Sequence, residues 1–141
     1  MSEKRRALEV NKVIGGAIRK HYQDVQQNRP LAYALLAPDP MIELCYAAGI
    51  QPAFPENYAC VCAARKVSGR FCEVAENNRL LPDLCSYMRT AVGSWFAREV
   101  EKLPMGGLPE PDFLVYTTSA CVTLSLIHIS EPTRPRLNSY A

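Results

Sequence analysis

The sequence predicts an α/β chain: leading helices, then the beginning of a parallel sheet. Three observations predict it. Apolar residues recur at helical spacing through most of the first hundred positions. A loop rich in glycine and proline, Pro104 to Pro111, ends that pattern. The apolar run Phe113-Leu114-Val115-Tyr116 then suits a buried parallel strand, and it enters the small-residue turn Thr117-Thr118-Ser119-Ala120-Cys121.

Residues 2 to 27 read as one helix, with Leu8, Val13, Ile14 and Ile18 on one face and Glu3, Lys4, Arg5 and Arg6 on the other. Gly15-Gly16 threatens its continuity, and Asn28-Arg29-Pro30 ends it. A short apolar segment, 31 to 37, follows. After the break at Pro38, Asp39 can cap a short helix with Pro40 in its first position; Ile42, Leu44, Cys45 and Ala48 continue it and Gly49 stops it. Ile50 to Phe54 is an extended piece. Asn57 to Glu76 is alanine-rich and helical in pattern, interrupted near Ser68-Gly69. After the turn at Asn77-Asn78, Asp83 opens a longer helix reaching about Lys102, with Leu84, Tyr87, Met88, Ala91, Trp95 and Val100 as its apolar side.

The composition of the 141 residues is that of an ordinary globular protein, and a net charge of +2 is too small to argue for nucleic acid. No stretch approaches the roughly 20 apolar residues that span a bilayer, and the polar N-terminus carries no signal-peptide core. The expected location is cytoplasmic. There the six cysteines are thiols, cluster ligands or core residues rather than disulfides. Loops leaving the carboxyl ends of strands are where open α/β sheets place ligands, and Cys121 falls in such a loop.

Pro40 to Gly93 is the most informative stretch. Its E-L-x-Y-A-A-G-I segment, the P-E-N segment with A-R-K after it, D-L-C-S-Y-x-R-T-x-x-G, and the strand FLVYTTSAC after PEPD, in that order, resemble the core subunits of 2-hydroxyacyl-CoA dehydratases and benzoyl-CoA reductases. The resemblance covers about 31 to 123 and implies the start of a Rossmann-like, cluster-binding domain, preceded by the N-terminal helix of residues 1 to 30. It also implies a [4Fe–4S] cluster held by three cysteines. Two match Cys85 and Cys121; the third lies beyond the end of this chain. The implied partners are a second core subunit, an ATP-hydrolysing iron–sulfur activator and an acyl-CoA substrate. The implied chemistry is one-electron reduction of the thioester carbonyl to a ketyl radical, leading to dehydration of a 2-hydroxyacyl-CoA or reduction of an aromatic acyl-CoA. This piece alone is expected to be inactive. A related subunit that only relays electrons in an ATP-dependent reductase is the alternative within the family.

Thiolates suit such a cluster, and Cys85 is expected in the first turn of a helix, where backbone N–H groups favour a thiolate. A buried, inert thiol is the commoner fate of a free cysteine; the resemblance tips Cys85 and Cys121 to ligation, and Cys45 and Cys72 are read as inert. Cys60 and Cys62, with Cys72 and Cys85, offer a zinc or interaction module as a different class of reading, but structural zinc sites pair ligands as C-x(2–4)-C, and residues two apart on a helix face different ways. Glu56 and Asn57 either line the substrate or cluster pocket as catalytic residues or simply open a helix, with Glu56 at the positive end of the dipole. Arg89 reads as a solvated helix arginine, Tyr87 and Trp95 as core, and Glu43 as an exposed carboxylate. There is no glycine-rich phosphate loop.

Residues 124 to 141, LSLIHISEPTRPRLNSYA, break the pattern where a helix should follow. They resemble translated sequencing-library adapter and are expected to be non-native, so His128 is expected to carry no function.

Overall fold

The computed structural model describes residues 3–35, 39–98 and 102–116. Five helices and three strands follow one another as α1 Glu3–Gln27, β1 Leu31–Leu35, α2 Asp39–Ala47, β2 Gln51–Ala53, α3 Pro55–Ala64, α4 Ser68–Asn77, α5 Ser86–Phe96, a 3-10 turn at Pro104–Gly106, and β3 Phe113–Tyr116. The sheet is parallel, in the order β2-β1-β3. Leu31 to Tyr33 of β1 register with Gln51 to Ala53, and Ala32 to Leu35 with Phe113 to Tyr116. The expected α/β architecture, with leading helices and a parallel sheet, is what the chain adopts.

As the middle strand, β1 buries Leu31, Ala32, Ala34 and Leu35, as a strand covered on both faces does. Tyr33 is the half-buried exception, and its hydroxyl donates to the Pro109 carbonyl at 2.6 Å. Desolvation pushes that phenol up to about 12. Asp112 locks the start of β1 to the entry of β3. Its backbone N–H donates to the Leu31 carbonyl at 2.8 Å, and its Oδ2 accepts from the Leu31 N–H at 2.6 Å. The strand Phe113–Tyr116 is parallel as expected, but it is an edge of the described sheet, so Phe113 and Leu114 stay exposed rather than buried.

The core gathers Tyr22, Val25, Leu31, Ala53, Tyr58, Cys62, Phe71, Ala97 and Leu108. Only the last turns of α1 reach it. Leu8, Val13, Ile14 and Ile18, the expected apolar face, remain exposed on the first part of that helix. Gly15-Gly16 does not interrupt α1, because neither position needs an unusual backbone.

Three helices end in the same way. At Gly49 (φ +70°), Ile50 N–H donates to Cys45 C=O and Gly49 N–H to Tyr46 C=O. This is the paired 6→1 and 5→2 closure that a left-handed residue permits, so Gly49 stops α2 as expected. Lys66 (φ 59°) and Arg79 (φ 71°) make the same closure after α3 and α4. That closure at Lys66 moves the interruption to residues 65–67, just ahead of Ser68-Gly69. The expected interrupted stretch is thus two separate helices, α3 and α4.

The last helix is also shorter than expected. Residues 82 to 84 form a separate turn, closed by Leu84 N–H donating to Leu81 C=O at 3.2 Å, so α5 starts at Ser86, not at Asp83, and it ends at Phe96. Its buried face is Thr90, Ala91, Gly93 and Ser94. Tyr87 is exposed and Trp95 half-buried beneath the Arg98 guanidinium, 4.6 Å from the ring centroid. Small residues line this face because α5 approaches α4 backbone to backbone. A Cβ on Gly93 would stand 1.8 Å from the Phe71 carbonyl oxygen. The hydroxyls of Thr90 and Ser94 tolerate burial because they are partnered: Ser94 Oγ donates to Ala91 C=O at 2.7 Å, and Thr90 Oγ1 lies 3.4 Å from Cys72 Sγ.

Candidate functional site

The D-L-C-S-Y-x-R-T-x-x-G segment, residues 83 to 93, forms the turn after α4 and most of α5. Each part of it has a physical task. Leu84 is buried. Cys85 is the N-cap of α5, with extended backbone (φ −49°, ψ 131°), and its thiol makes no capping hydrogen bond. Arg89, one turn on, donates its N–H to Cys85 C=O at 3.0 Å. Its guanidinium pairs with Glu76 at the end of α4. Thr90 and Gly93 hold α5 against Cys72 and Phe71 of α4.

Cys85 is therefore half-buried at the mouth of a helix rather than within its first turn. No acidic residue occupies the first turn of α5, so no carboxylate within that turn satisfies the N–H end of the helix. Arg89 differs from its expected solvated state. Its side chain is 20% exposed, and its Nε is closed to solvent with no acceptor among the described residues.

Cys60 and Tyr87 come together across α3 and α5. The Tyr87 phenol lies above its usual range, first through a hydrogen bond with Cys60 and then through that thiol's charge, with smaller contributions from desolvation and Cys85. Cys60 is exposed while Cys62, two residues on, is sealed in the core, where burial pushes its thiol up. Cys45 is buried, and Cys72 is half-buried beside Thr90. Among the described residues no three histidine, cysteine, aspartate or glutamate side chains gather closely enough to hold a metal. The zinc alternative on Cys60, Cys62, Cys72 and Cys85 thus finds no assembled ligand set there.

Pro55, Glu56 and Asn57 open α3, one residue beyond the carboxyl end of β2, with Pro55 in the first helical turn and Glu56 near the helix's positive end. Glu56 is half-buried and its Oε1 closed to solvent. Asn57 is exposed and lines an apolar groove of about 530 Å³ between α1 and α3, with Ile18, His21, Phe54, Cys60 and Val61. His21 stacks on Phe54 with centroids 5.5 Å apart, and burial lowers its proton affinity against a weaker pull from Asp24. Glu43 is exposed, as expected.

Cys121 and the tail from 124 lie outside the described residues. The topology that leads to Cys121 is described. The chain passes from β1 to β2 on one side, then returns through α3, α4 and α5 to place β3 on the other. Strand order reverses at β1, and in open α/β sheets the crevice at such a reversal, outside the carboxyl ends of the strands, is the ligand site. Spacing did not foresee the Glu76–Arg89 pair or the approach of Gly93 to Phe71. The only signal for either was that both Arg89 and Gly93 belong to the 83–93 segment.

Residues 41–128 match the family model described as "2-hydroxyglutaryl-CoA dehydratase, D-component". The match begins inside α2, runs through β3, and leaves out α1 and β1. The chain is also 32% identical over 123 residues to the (R)-2-hydroxyisocaproyl-CoA dehydratase alpha subunit of Clostridioides difficile, an alignment that takes in 86% of this chain and 29% of that subunit. This chain thus spans under a third of the relative's length. With the family match covering more than half of the chain and the identity extending over most of it, the chain belongs to the 2-hydroxyglutaryl-CoA dehydratase D-component family.

Proposed function

We propose that the chain is part of a core subunit of a 2-hydroxyacyl-CoA dehydratase, and that Cys85 and Cys121 are two of three thiolate ligands to a [4Fe–4S] cluster. The observation that carries this is the state of Cys85. It is a half-buried thiol with no capping duty, at the bare N-terminus of α5, one helical turn from a guanidinium whose Nε has no acceptor. Those features suit an anionic sulfur ligand.

The topology supports bringing Cys121 to the same place. Arg98, just past the end of α5, lies 3.6 Å from Glu110, just before β3. The end of the helix therefore sits beside the start of the strand. The eleven residues of α5 rise about 16 Å, and the four of β3 about 13 Å. For a helix that runs antiparallel to the strand it precedes, the beginning of α5 and the end of β3 then meet at one end of the unit.

When bound, the cluster supplies the single electron that a thioester carbonyl needs before a hydroxyl can leave. The chain's own residues position the two sulfurs: Gly93 and Thr90 set α5 on α4, and the Glu76–Arg89 pair closes the turn that carries Cys85. Glu56 and Asn57, at the carboxyl end of β2, are proposed to flank the acyl-CoA pocket. The remaining ligand, a second core subunit and an ATP-hydrolysing activator complete the system, which is proposed to work in the cytoplasm. Among the described residues no helix is long and apolar enough to cross a membrane.

The test is metal and activity analysis of the full-length protein with its partner subunit. Iron and acid-labile sulfide in equal amounts, lost together with 2-hydroxyacyl-CoA dehydration on Cys85→Ala, is the expected result. Stoichiometric zinc, or iron unaffected by that substitution, refutes the assignment.

A further inference from the structure

We propose that Arg89 is a positioning residue that donates from Nε to a sulfur of the centre bound at Cys85 and thereby raises the reduction potential of that centre. The inference rests on the reading of Cys85 as a cluster ligand and goes beyond it.

Two independent features of Arg89 carry it. The first is its anchorage. One edge of the guanidinium is committed to Glu76, across the α4–α5 turn, with side-chain exposures of 20% and 37%. A guanidinium fixed by one carboxylate presents its remaining donors in a known plane. The second is the orphaned donor. Nε is shut off from water and meets no acceptor among the described residues. Buried donors in native proteins are nearly always partnered, and an exception asks for an explanation.

Helix geometry gives the direction in which the partner lies. Side chains on an α-helix tilt toward its N-terminus, so a residue covers the turn preceding its own Cα. The turn preceding Arg89 is that of Cys85 and Ser86, and the Arg89 N–H bonds the Cys85 carbonyl. Ser86 C=O lies 3.8 Å from Cys72 Sγ. Cys85 Sγ itself does not accept from Nε, so the acceptor missing from the Arg89 fork is expected to be a sulfur of the centre bound at Cys85. Hydrogen bonds to cluster sulfurs and nearby positive charge are among the factors that set cluster potentials. A donor that is also a fixed cation acts through both.

Arg89→Lys keeps the charge and loses the planar Nε donor. Arg89→Gln loses the charge and keeps a hydrogen-bonding end for Glu76. The experiment is a redox titration of the full-length protein, followed by electron paramagnetic resonance, with iron content measured on the same samples. The reduction equilibrium is expected to weaken about tenfold in Arg89→Gln, a fall of about 59 mV for one electron. Arg89→Lys should fall between wild type and Arg89→Gln, each with iron content close to wild type. An unchanged potential in either variant that retains iron overturns the inference while leaving the ligand assignment standing. If Arg89→Gln does not fold, Arg89→Lys alone decides. Wild-type protein without iron removes the underlying reading instead. A merely structural arginine would lower iron content or thermal stability and leave the potential of the remaining centres where it was.

Discussion

Replacing Gly93 with alanine should destabilise the chain, against the usual sign for a helix. Gly93 lies inside α5, where alanine is ordinarily better than glycine by about 1 kcal/mol. Here the added Cβ would stand 1.8 Å from the Phe71 carbonyl oxygen and 2.6 Å from its carbon. Opening the first contact to the 3.0 Å that real Cβ atoms respect requires α4 and α5 to part by about 1.2 Å (3.0 minus 1.8) at their closest point. The atoms it meets are backbone, so no side chain can swing away. Phe71 is 2% exposed, so the parting loosens a filled core. Overpacking against a backbone that cannot swing aside falls toward the upper end of the usual range of about 1–3 kcal/mol, and with the propensity gain of about 1 kcal/mol subtracted the net loss is up to about 2 kcal/mol. Gly16→Ala supplies the control, since its Cβ meets nothing within 4 Å; it should stabilise by about 1 kcal/mol. Urea denaturation of the 141-residue chain, followed by circular dichroism, measures both. Gly93→Ala at or above wild-type stability would refute the close approach of α5 to α4.

Arg79 closes α4 in the left-handed region (φ 71°), where a Cβ costs about 1 kcal/mol; Arg79→Gly should raise the denaturation midpoint, and a lowered midpoint would contradict the closure described. Asp112→Ala removes the acceptor 2.6 Å from the fully buried Leu31 N–H and should cost about 1–3 kcal/mol, read by the same denaturation. Burial lowers the His21 proton affinity, so below about pH 6.5 the unfolded chain takes up that proton first and stability declines as pH falls. His21→Phe should therefore melt progressively closer to, or above, wild type as pH drops from 7.5 to 5; a constant gap would refute a depressed imidazole.

Much of this fold is legible where one residue's chemistry dominates. Gly49 stops α2 because it tolerates a left-handed backbone, and Pro55 starts α3 because its missing N–H costs nothing there. The run from Phe113 reads as a parallel strand because apolar residues there are continuous. Legibility fails where tertiary context decides. Nothing local reveals that Lys66 and Arg79 adopt the left-handed conformation of a glycine, so the break near Ser68-Gly69 is legible but its placement at residues 65–67 is not. The buried face of α5 was misread because Thr90, Gly93 and Ser94 look like surface residues until α4 presses on them. The apolar stripe of α1 reads correctly as amphipathic, yet only Tyr22 and Val25 of its last turns reach the core. At the site, Cys85 is visible through its segment, but its N-cap position and the Glu76–Arg89 pair, thirteen positions apart in sequence, depend on the intervening chain folding into a hairpin.

Crystals of the full-length subunit, with an anomalous-difference map recorded at the iron edge, would locate the centre itself. The expected map shows one compact iron peak joined to Sγ of both Cys85 and Cys121, at the end of the sheet where β1 and β3 finish. Iron bound elsewhere, or those two sulfurs at opposite ends of the domain, would contradict the assignment on which the proposed dehydration depends.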